Sequence, residues 1–261
     1  MMEEVHYKKI NWFIFLLFVL AMFVLLMYFD RAVADEPDAR TMEVIHKTMN
    51  AMGGLDEWKS VKALRFNFQV EPKGAPAKAV KHLWDRRFNR DHVEGTKDNK
   101  PMVAWVDLTT RKGMAWYGGA PLQGDDLNKA MEWAYGRWVN DSYWVIMPFK
   151  LLDNGTNVQY MEEKDGHDVL HLSFGKVGLT PGDQYFAYIN TDTGLMDRWE
   201  FLLQGGEKGT FQWLDWVKVG NVRLSTYKKG TDGTGIRIQP LKALDAANPS
   251  YFGNDLKLLA D

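Results

Sequence analysis

The sequence contains no cysteine, and this absence narrows the chemistry available to the chain. It excludes disulfides, thiolate metal sites, a cysteine nucleophile and a lipid-modified cysteine at the head of a mature lipoprotein. The chain also lacks a G-x-S-x-G elbow, a glycine-rich phosphate loop and an H-E-x-x-H helix. The common signatures of hydrolases, nucleotide-binding proteins and metalloproteases are therefore missing, and we expect neither a cofactor nor a metal ion.

The chain has no large excess of charge of either sign. Its formal net charge is -2 over 261 residues, so it shows no electrostatic footprint for nucleic acid, and we expect no nucleic-acid partner. Hydrophobic residues make up 46% of the chain and aromatic residues 13%. This composition is enough for a sizeable core, and we find no internal repeat or linker that would divide it into several domains.

The first 34 residues are predicted to direct the chain across a membrane. No charged residue occurs from Ile10 to Phe29, and as a helix this run would span roughly the 30 Å of a bilayer core. Lys8 and Lys9 precede it, which favours a cytoplasmic N-terminus, and residues 32–34 (Ala-Val-Ala) form an A-x-A cleavage site. Cleavage after Ala34 and retention as a single transmembrane anchor both stay open. In either case we expect residues 35–261 to form one extracytoplasmic domain, in the periplasm.

The remainder is predicted to be mainly β, with few helices. Asp38 begins a helix that Gly53 and Gly54 end. From Leu64 to Val70 apolar and polar residues alternate, which is typical of a strand with one buried face. Further strands are expected near 78–88, 102–109, 112–118, 156–162, 167–174, 183–190, 197–204, 210–219, 221–227 and 235–239. Turn clusters separate them, and such short connections favour a single antiparallel sheet.

One helix is predicted to interrupt the series of strands. From Asp125 to Trp138 the apolar residues form one stripe, and an apolar segment, 144–149, follows and ends in an expected loop. A sheet of this many strands curls, and its concave side is filled by side chains, by helices or by a ligand. The chain supplies bulky side chains for this, since every tryptophan except Trp12 lies beyond residue 34.

The order of these segments resembles the outer-membrane lipoprotein carrier (LolA/LolB-like) superfamily. The matching pieces are Leu64 to Val70, Lys81 to Phe88, Thr110 to Tyr117, the helix through Trp138 with Tyr143 to Leu152, Val158 to Phe174, and the hairpin Tyr185 to Phe201 around residues 192–195. The resemblance implies a half-open β-barrel whose concave face is covered by helices over an apolar cavity. It also implies a monomer that binds lipid or lipoprotein acyl chains. A dedicated shuttle is soluble, so an uncleaved anchor would weigh against shuttling.

The resemblance implies two sets of site residues. In that family an arginine on the second strand bonds to the backbone of a lid, and Arg86 or Arg87 matches it here. The acyl chains would contact large side chains of the sheet and the lid. The residues expected in this role are Phe66, Phe68, Trp84, Trp105, Trp116, Met131, Trp138, Trp144, Trp199, Phe201 and Trp213.

Two other functions stay open. The first is an envelope interaction module, tethered by the N-terminal segment, whose concave face is filled by its own side chains. An enclosed apolar volume would favour the carrier, and a packed interior the module. The second is a small-molecule enzyme that uses His82, Asp85 or His92. His167 and His171 would share one face of a strand about 13 Å apart, too far for one metal ion.

Overall fold

The structure is a computed structural model that describes residues 37–73, 77–174 and 182–260. The predicted signal or anchor segment, with its cleavage site after Ala34, lies outside these residues. Among the helices that are described, none is both long enough and apolar enough to cross a membrane.

Three α-helices occur in the described part of the chain. Helix α1 spans Ala39–Ala51, and its N-cap Asp38 accepts a hydrogen bond from the backbone N–H of Thr41. Helix α2 is short and spans Leu55–Ser60. Helix α3 spans Gly124–Ile146, with two acidic residues in its first turn that favour the positive end of the helix dipole. A 3₁₀ turn, Met147–Lys150, with proline near its start, follows directly.

Thirteen strands form one antiparallel sheet. They are β1 (Ala63–Glu71), β2 (Lys78–Asp85), β3 (Arg90–Lys97), β4 (Lys100–Asp107), β5 (Gly113–Tyr117), β6 (Ala120–Pro121), β7 (Thr156–Lys164), β8 (His167–Phe174), β9 (Gln184–Asn190), β10 (Met196–Leu202), β11 (Lys208–Val219), β12 (Val222–Gly230) and β13 (Gly235–Leu244). The predicted mainly β fold with a single antiparallel sheet is confirmed.

The order of the strands explains how the sheet is built. It runs β6-β5-β4-β3-β2-β1-β13-β12-β11-β10-β9-β8-β7, so two meanders meet where β1 pairs with β13. The sheet is not closed, because β6 and β7 are its two edges. Helix α3 is the connection between these edge strands, and it contacts β3, β4, β5 and β12 on its way across the sheet. The helix is therefore held over one face by its connections at both ends.

Three details of the prediction are wrong. The strand expected at 78–88 ends at Asp85, and Arg86 and Arg87 lie in the turn that follows it. Strand β3 was not expected at all, although Asp98 and Asn99 both have positive φ, as the two-residue turn between β3 and β4 requires. The helix expected from Asp125 to Trp138 spans Gly124–Ile146 and continues into the 3₁₀ turn, because apolar side chains bury that segment.

Candidate functional site

The two faces of the sheet are covered by different parts of the chain. We call the face that packs against α1 and α3 the inner face, and the other the outer face. Neighbouring residues of β2 show the alternation, since Trp84 belongs to the inner cluster and Leu83 to the outer one. On the outer face the segment 245–260 covers β1 to β4. There Arg65 donates to the carbonyl of Ala260, and Trp105 to that of Gly253.

Aromatic rings fill the space between α3 and the inner face. The ring of Trp138 on α3 meets the Trp84 ring edge-on at 5.5 Å between centroids. Trp144, further along α3, lies 5.0 Å from Phe211 and 6.4 Å from Trp213. We call these rings and their neighbours the aromatic layer. Its members are Trp84, Trp138, Tyr143, Trp144, Tyr185, Trp199, Phe201, Phe211, Trp213 and Trp216.

Several polar atoms of the aromatic layer are buried without a hydrogen-bond partner among the described residues. They are the indole N–H groups of Trp84, Trp138, Trp213 and Trp216 and the hydroxyl of Tyr143. Burial also raises the pKa of Tyr143. A buried donor without an acceptor costs about 1–3 kcal/mol, and native proteins contain few of them. The layer is therefore more costly than an interior of purely aliphatic and phenyl side chains would be.

A charged network ties α3 to the inner face beside the aromatic layer. His82 on β2 is fully buried, with Nδ1 2.7 Å from Asp91 Oδ2 and Nε2 2.9 Å from Asp141 Oδ2. Asp141, on α3, also accepts from Arg137 at 2.5 Å. Burial alone would lower the pKa of His82, but the two carboxylates outweigh it and raise this pKa to about 9. At neutral pH His82 is thus a cation that donates to both carboxylates.

Arg86 links the turn after β2 to helix α2. Its Nη1 donates to the carbonyls of Trp58 and Val61 at 2.5 and 2.7 Å, and its guanidinium lies 3.7 Å from the centroid of the Trp58 ring. The Trp58 ring also stacks on Phe149 of the 3₁₀ turn after α3, with 5.2 Å between the ring centroids. Burial lowers the pKa of Arg86 to about 10. We call this set of contacts the Arg86 latch.

Arg87 faces away from the latch. Its side chain is exposed, and its guanidinium lies 5.4 Å from the ring of Phe88, which is itself 60% exposed. The alternative left open by the sequence is resolved, since Arg86 and not Arg87 faces inward. Its backbone partners belong to α2 and the residues after it, and not to the long helix α3.

Comparison with known proteins finds likeness in structure alone. No family model matches the chain, and no curated protein matches it either. A DUF1329 family protein from Desulfovibrio piger superposes on 82% of this chain and 97% of its own, with a TM-score of 0.49 and 10% identity. A LolA superfamily protein from Nitrosomonas europaea gives 82% and 97%, with a TM-score of 0.46 and 10% identity.

A third solved structure has a related description. It is a putative outer membrane lipoprotein-sorting protein domain from Vibrio parahaemolyticus, which matches over 82% of this chain and 96% of its own, with a TM-score of 0.45 and 10% identity. Two of these three solved structures carry descriptions from the superfamily that the sequence resembles. Because these TM-scores lie below 0.5 and the identity is 10%, what the chain binds has to be argued from its own residues.

Most of the predicted acyl-contacting residues are brought together on the inner side. Those in or packed against the inner cluster are Phe66, Phe68, Trp84, Met131, Trp138, Trp144, Trp199, Phe201 and Trp213. Trp105 instead packs with the outer cluster. Trp116 alternates with Ala115, whose side chain belongs to the inner cluster, so Trp116 faces outward. These two tryptophans lie apart from the aromatic layer.

The three residues considered for an enzyme do not converge. His82 lies on the inner face, whereas His92 is on the outer face, where its Nδ1 donates to the carbonyl of Tyr251. Asp85 accepts from Arg90 at 3.0 Å, and it alternates with the inward Trp84. The partners of His82 were not predicted, because Asp91 and Asp141 lie 9 and 59 residues away in the chain and no local pattern links them to it.

Proposed function

We propose that the chain is an extracytoplasmic protein that binds lipid acyl chains in the aromatic layer beneath α3. Residues 1–34 would direct it across the membrane, and residues 35–261 would form the binding domain. The observation that carries this proposal is the aromatic layer itself, with its buried N–H groups that have no acceptor among the described residues. A core that served folding alone would gain stability by replacing them with apolar groups.

The free energy for binding would come from apolar burial. Each methylene of an acyl chain transferred from water into an apolar site contributes about 0.8 kcal/mol. Rings adapt to such a guest by parting, and in the described form they contact one another at about 5 to 6.4 Å between centroids. Binding therefore requires that α3 and its rings move away from the sheet.

The Arg86 latch would oppose that movement. Arg86 holds the backbone of α2, and Trp58 of α2 stacks on Phe149 of the 3₁₀ turn after α3. Loss of the guanidinium removes two charge-assisted hydrogen bonds and a cation–π contact, so α2 and the end of α3 part more easily. The latch would thus control the rate of uptake more than the final affinity.

The second candidate is an envelope interaction module with a self-filled interior. The mutual contacts of the rings favour it, because they leave the inner face covered by the chain's own side chains. The two candidates differ in a measurable property. A carrier takes up an acyl chain, and a module does not.

The test is uptake of a fluorescent fatty acid by the purified full chain, together with native mass spectrometry of protein recovered from a membrane-containing extract. We expect a bound lipid in the mass spectrum. The Arg86→Met variant should take up the probe about tenfold faster than the wild type, and Arg87→Met, the exposed neighbour, should match the wild type. Absence of both lipid and uptake in the wild-type protein would refute the carrier and leave the module.

A further inference from the structure

A lysine is buried on the inner face, next to the aromatic layer. Lys228 on β12 is 0% exposed, and its Nζ donates to the carbonyl of Ser225 at 2.7 Å. The same Nζ lies 4.4 Å from the centroid of the Trp213 ring, which pairs with Lys228 across the two strands. Among the described residues no carboxylate forms an ion pair with it. Lysine is almost never fully buried without such a partner.

A second tryptophan lies beside the first. Trp213 and Trp216 are three residues apart on β11, and simple alternation would put them on opposite faces. Asp215 has a φ of 52°, in the left-handed region, and it lies between Leu214 opposite Tyr227 and Trp216 opposite Ser225, with the same register on both sides. Both tryptophans nevertheless pack with the inner cluster, with ring centroids 6.2 Å apart.

The two tryptophans and the lysine together supply several hydrogen-bond donors. The indole N–H groups of Trp213 and Trp216 are buried and have no acceptor among the described residues. Lys228 has three donor positions when it is charged, and a single carbonyl occupies one of them. Burial lowers the pKa of Lys228 far below its ordinary value. This corner of the inner face thus has several donors and too few acceptors.

The corner also lies beneath the helix that would move. Trp144 of α3 stacks on Trp213 with an interplanar angle of 18°. The donors are therefore at one end of the aromatic layer, where an apolar tail would lie against the rings of the other members. A ligand that fits has one compact acceptor group and one long hydrocarbon chain.

We propose that Lys228, Trp213 and Trp216 form a head-group site for the carboxylate of a fatty acid whose tail occupies the aromatic layer. This inference rests on the proposed function, and it adds the chemical class of the ligand. The carboxylate accepts from the ammonium of Lys228 and from the indole N–H groups. No covalent bond forms or breaks.

The proton balance of binding gives the site a signature. Where Lys228 is an uncharged amine before binding, a fatty acid anion from solution forms an ammonium–carboxylate pair only if the site takes one proton from the solvent. Binding therefore releases or absorbs heat that depends on the ionisation enthalpy of the buffer, and it weakens as the pH rises. A neutral ester or alcohol of the same chain length takes up no proton.

The experiment compares palmitate with methyl palmitate and hexadecanol on the full chain, by calorimetry in two buffers of different ionisation enthalpy. We expect the wild type to bind palmitate about tenfold or more tightly than the two neutral ligands, with proton uptake for palmitate alone. Lys228→Met keeps a long apolar side chain and should lose both the preference and the proton uptake. Lys229→Met changes the exposed neighbour on the same strand and should retain both.

The outcomes separate this inference from the proposed function. If Lys228→Met keeps the preference for palmitate, or if the wild type binds all three ligands equally, the head-group site is refuted and acyl binding stands. If the wild type binds none of the three, the proposed function fails as well. Thermal unfolding of Lys228→Met shows whether a loss of binding reflects a loss of folding.

Discussion

The buried network around His82 predicts that the stability of the chain falls as the pH rises. The carboxylates of Asp91 and Asp141 hold the pKa of His82 at about 9, against an ordinary value near 6.5. Because the folded state has the higher pKa, the stabilising contribution is complete below about pH 6.5 and is lost as the pH passes about 9. Burial raises the pKa of Asp91 above its ordinary value of 3.8, so its contribution to stability also falls as the pH rises, but it begins to fall near that value.

The size of the effect follows from the two pKa values. A rise from 6.5 to about 9, at about 1.4 kcal/mol for each pH unit, gives about 3 kcal/mol of unfolding free energy. Lys228 has the opposite effect on stability, because folding lowers its pKa. As the pH rises, the buried ammonium loses its proton and the folded state no longer has to bury a charge. The lysine must therefore be removed before the contribution of His82 is measured.

The measurement is urea unfolding, followed by tryptophan fluorescence, at about pH 6.5, 8 and 9.5. In Lys228→Met the unfolding free energy should fall by about 3 kcal/mol over this range, and in the wild type by less. Adding Asp91→Asn to Lys228→Met removes one of the two carboxylates and should make the fall smaller. A flat or rising profile in Lys228→Met would show that His82 is not held as a cation between two carboxylates.

Two further predictions concern packing around the site. Asp168 is buried and accepts from Arg40 and Lys47 of α1 at 2.6 and 3.1 Å. Asp168→Asn should therefore lower the unfolding free energy by about 2 kcal/mol, whereas Asp165→Asn, in an exposed turn, should leave it unchanged. Equal urea midpoints for the two variants would contradict a stabilising role of these contacts. A Cβ on Gly113 would lie 1.9 Å from the carbonyl oxygen of Trp105, so Gly113→Ala should lower the unfolding free energy by more than about 2 kcal/mol. Gly253→Ala, whose Cβ would have its nearest atom at 3.8 Å, should lower it little. Similar thermal midpoints for the two variants would show that β4 and β5 are not this close.

The predictions from sequence succeeded where the spacing of apolar and polar residues fits one kind of element. In β1 apolar and polar residues alternate in the sequence, although its first four residues are all buried, and α1 has both its capping aspartate and its terminal glycines. In such segments the local pattern and the tertiary packing require the same residues. The antiparallel sheet followed from them, because the connections between strands are short.

Strand β3 was missed because its polar residues are buried by partners far away in the sequence. Asp91 is 0% exposed and is hydrogen-bonded to His82, and His92 is 1% exposed and is hydrogen-bonded to the carbonyl of Tyr251. Charged residues in a row are typical of a loop unless their partners are known. The same reasoning applies to Lys228, whose neighbour Lys229 is exposed, and whose inward direction depends on pairing with Trp213.

The length of α3 was underestimated for a related reason. Beyond Trp138 the helix contains Asn140, Asp141 and Ser142, which favour turns, and then a run of apolar residues. Asp141 is compatible with a buried helix because His82, Arg137 and Asn140 all donate to it. No local pattern contains that information, since His82 is 59 residues away.

Helix α3 joins the two edge strands of one sheet, and this limits how it can open. The helix is attached near β6 at its start and near β7 after its 3₁₀ turn, so neither end is free to move away from the sheet. It can rise in the middle, slide or roll about its long axis, and each of these movements would strain both edge strands of the sheet. An acyl chain would then enter from the side, between the helix and the strands beneath it. Its binding would affect the two edge strands together, although they are twelve places apart in the order of the sheet.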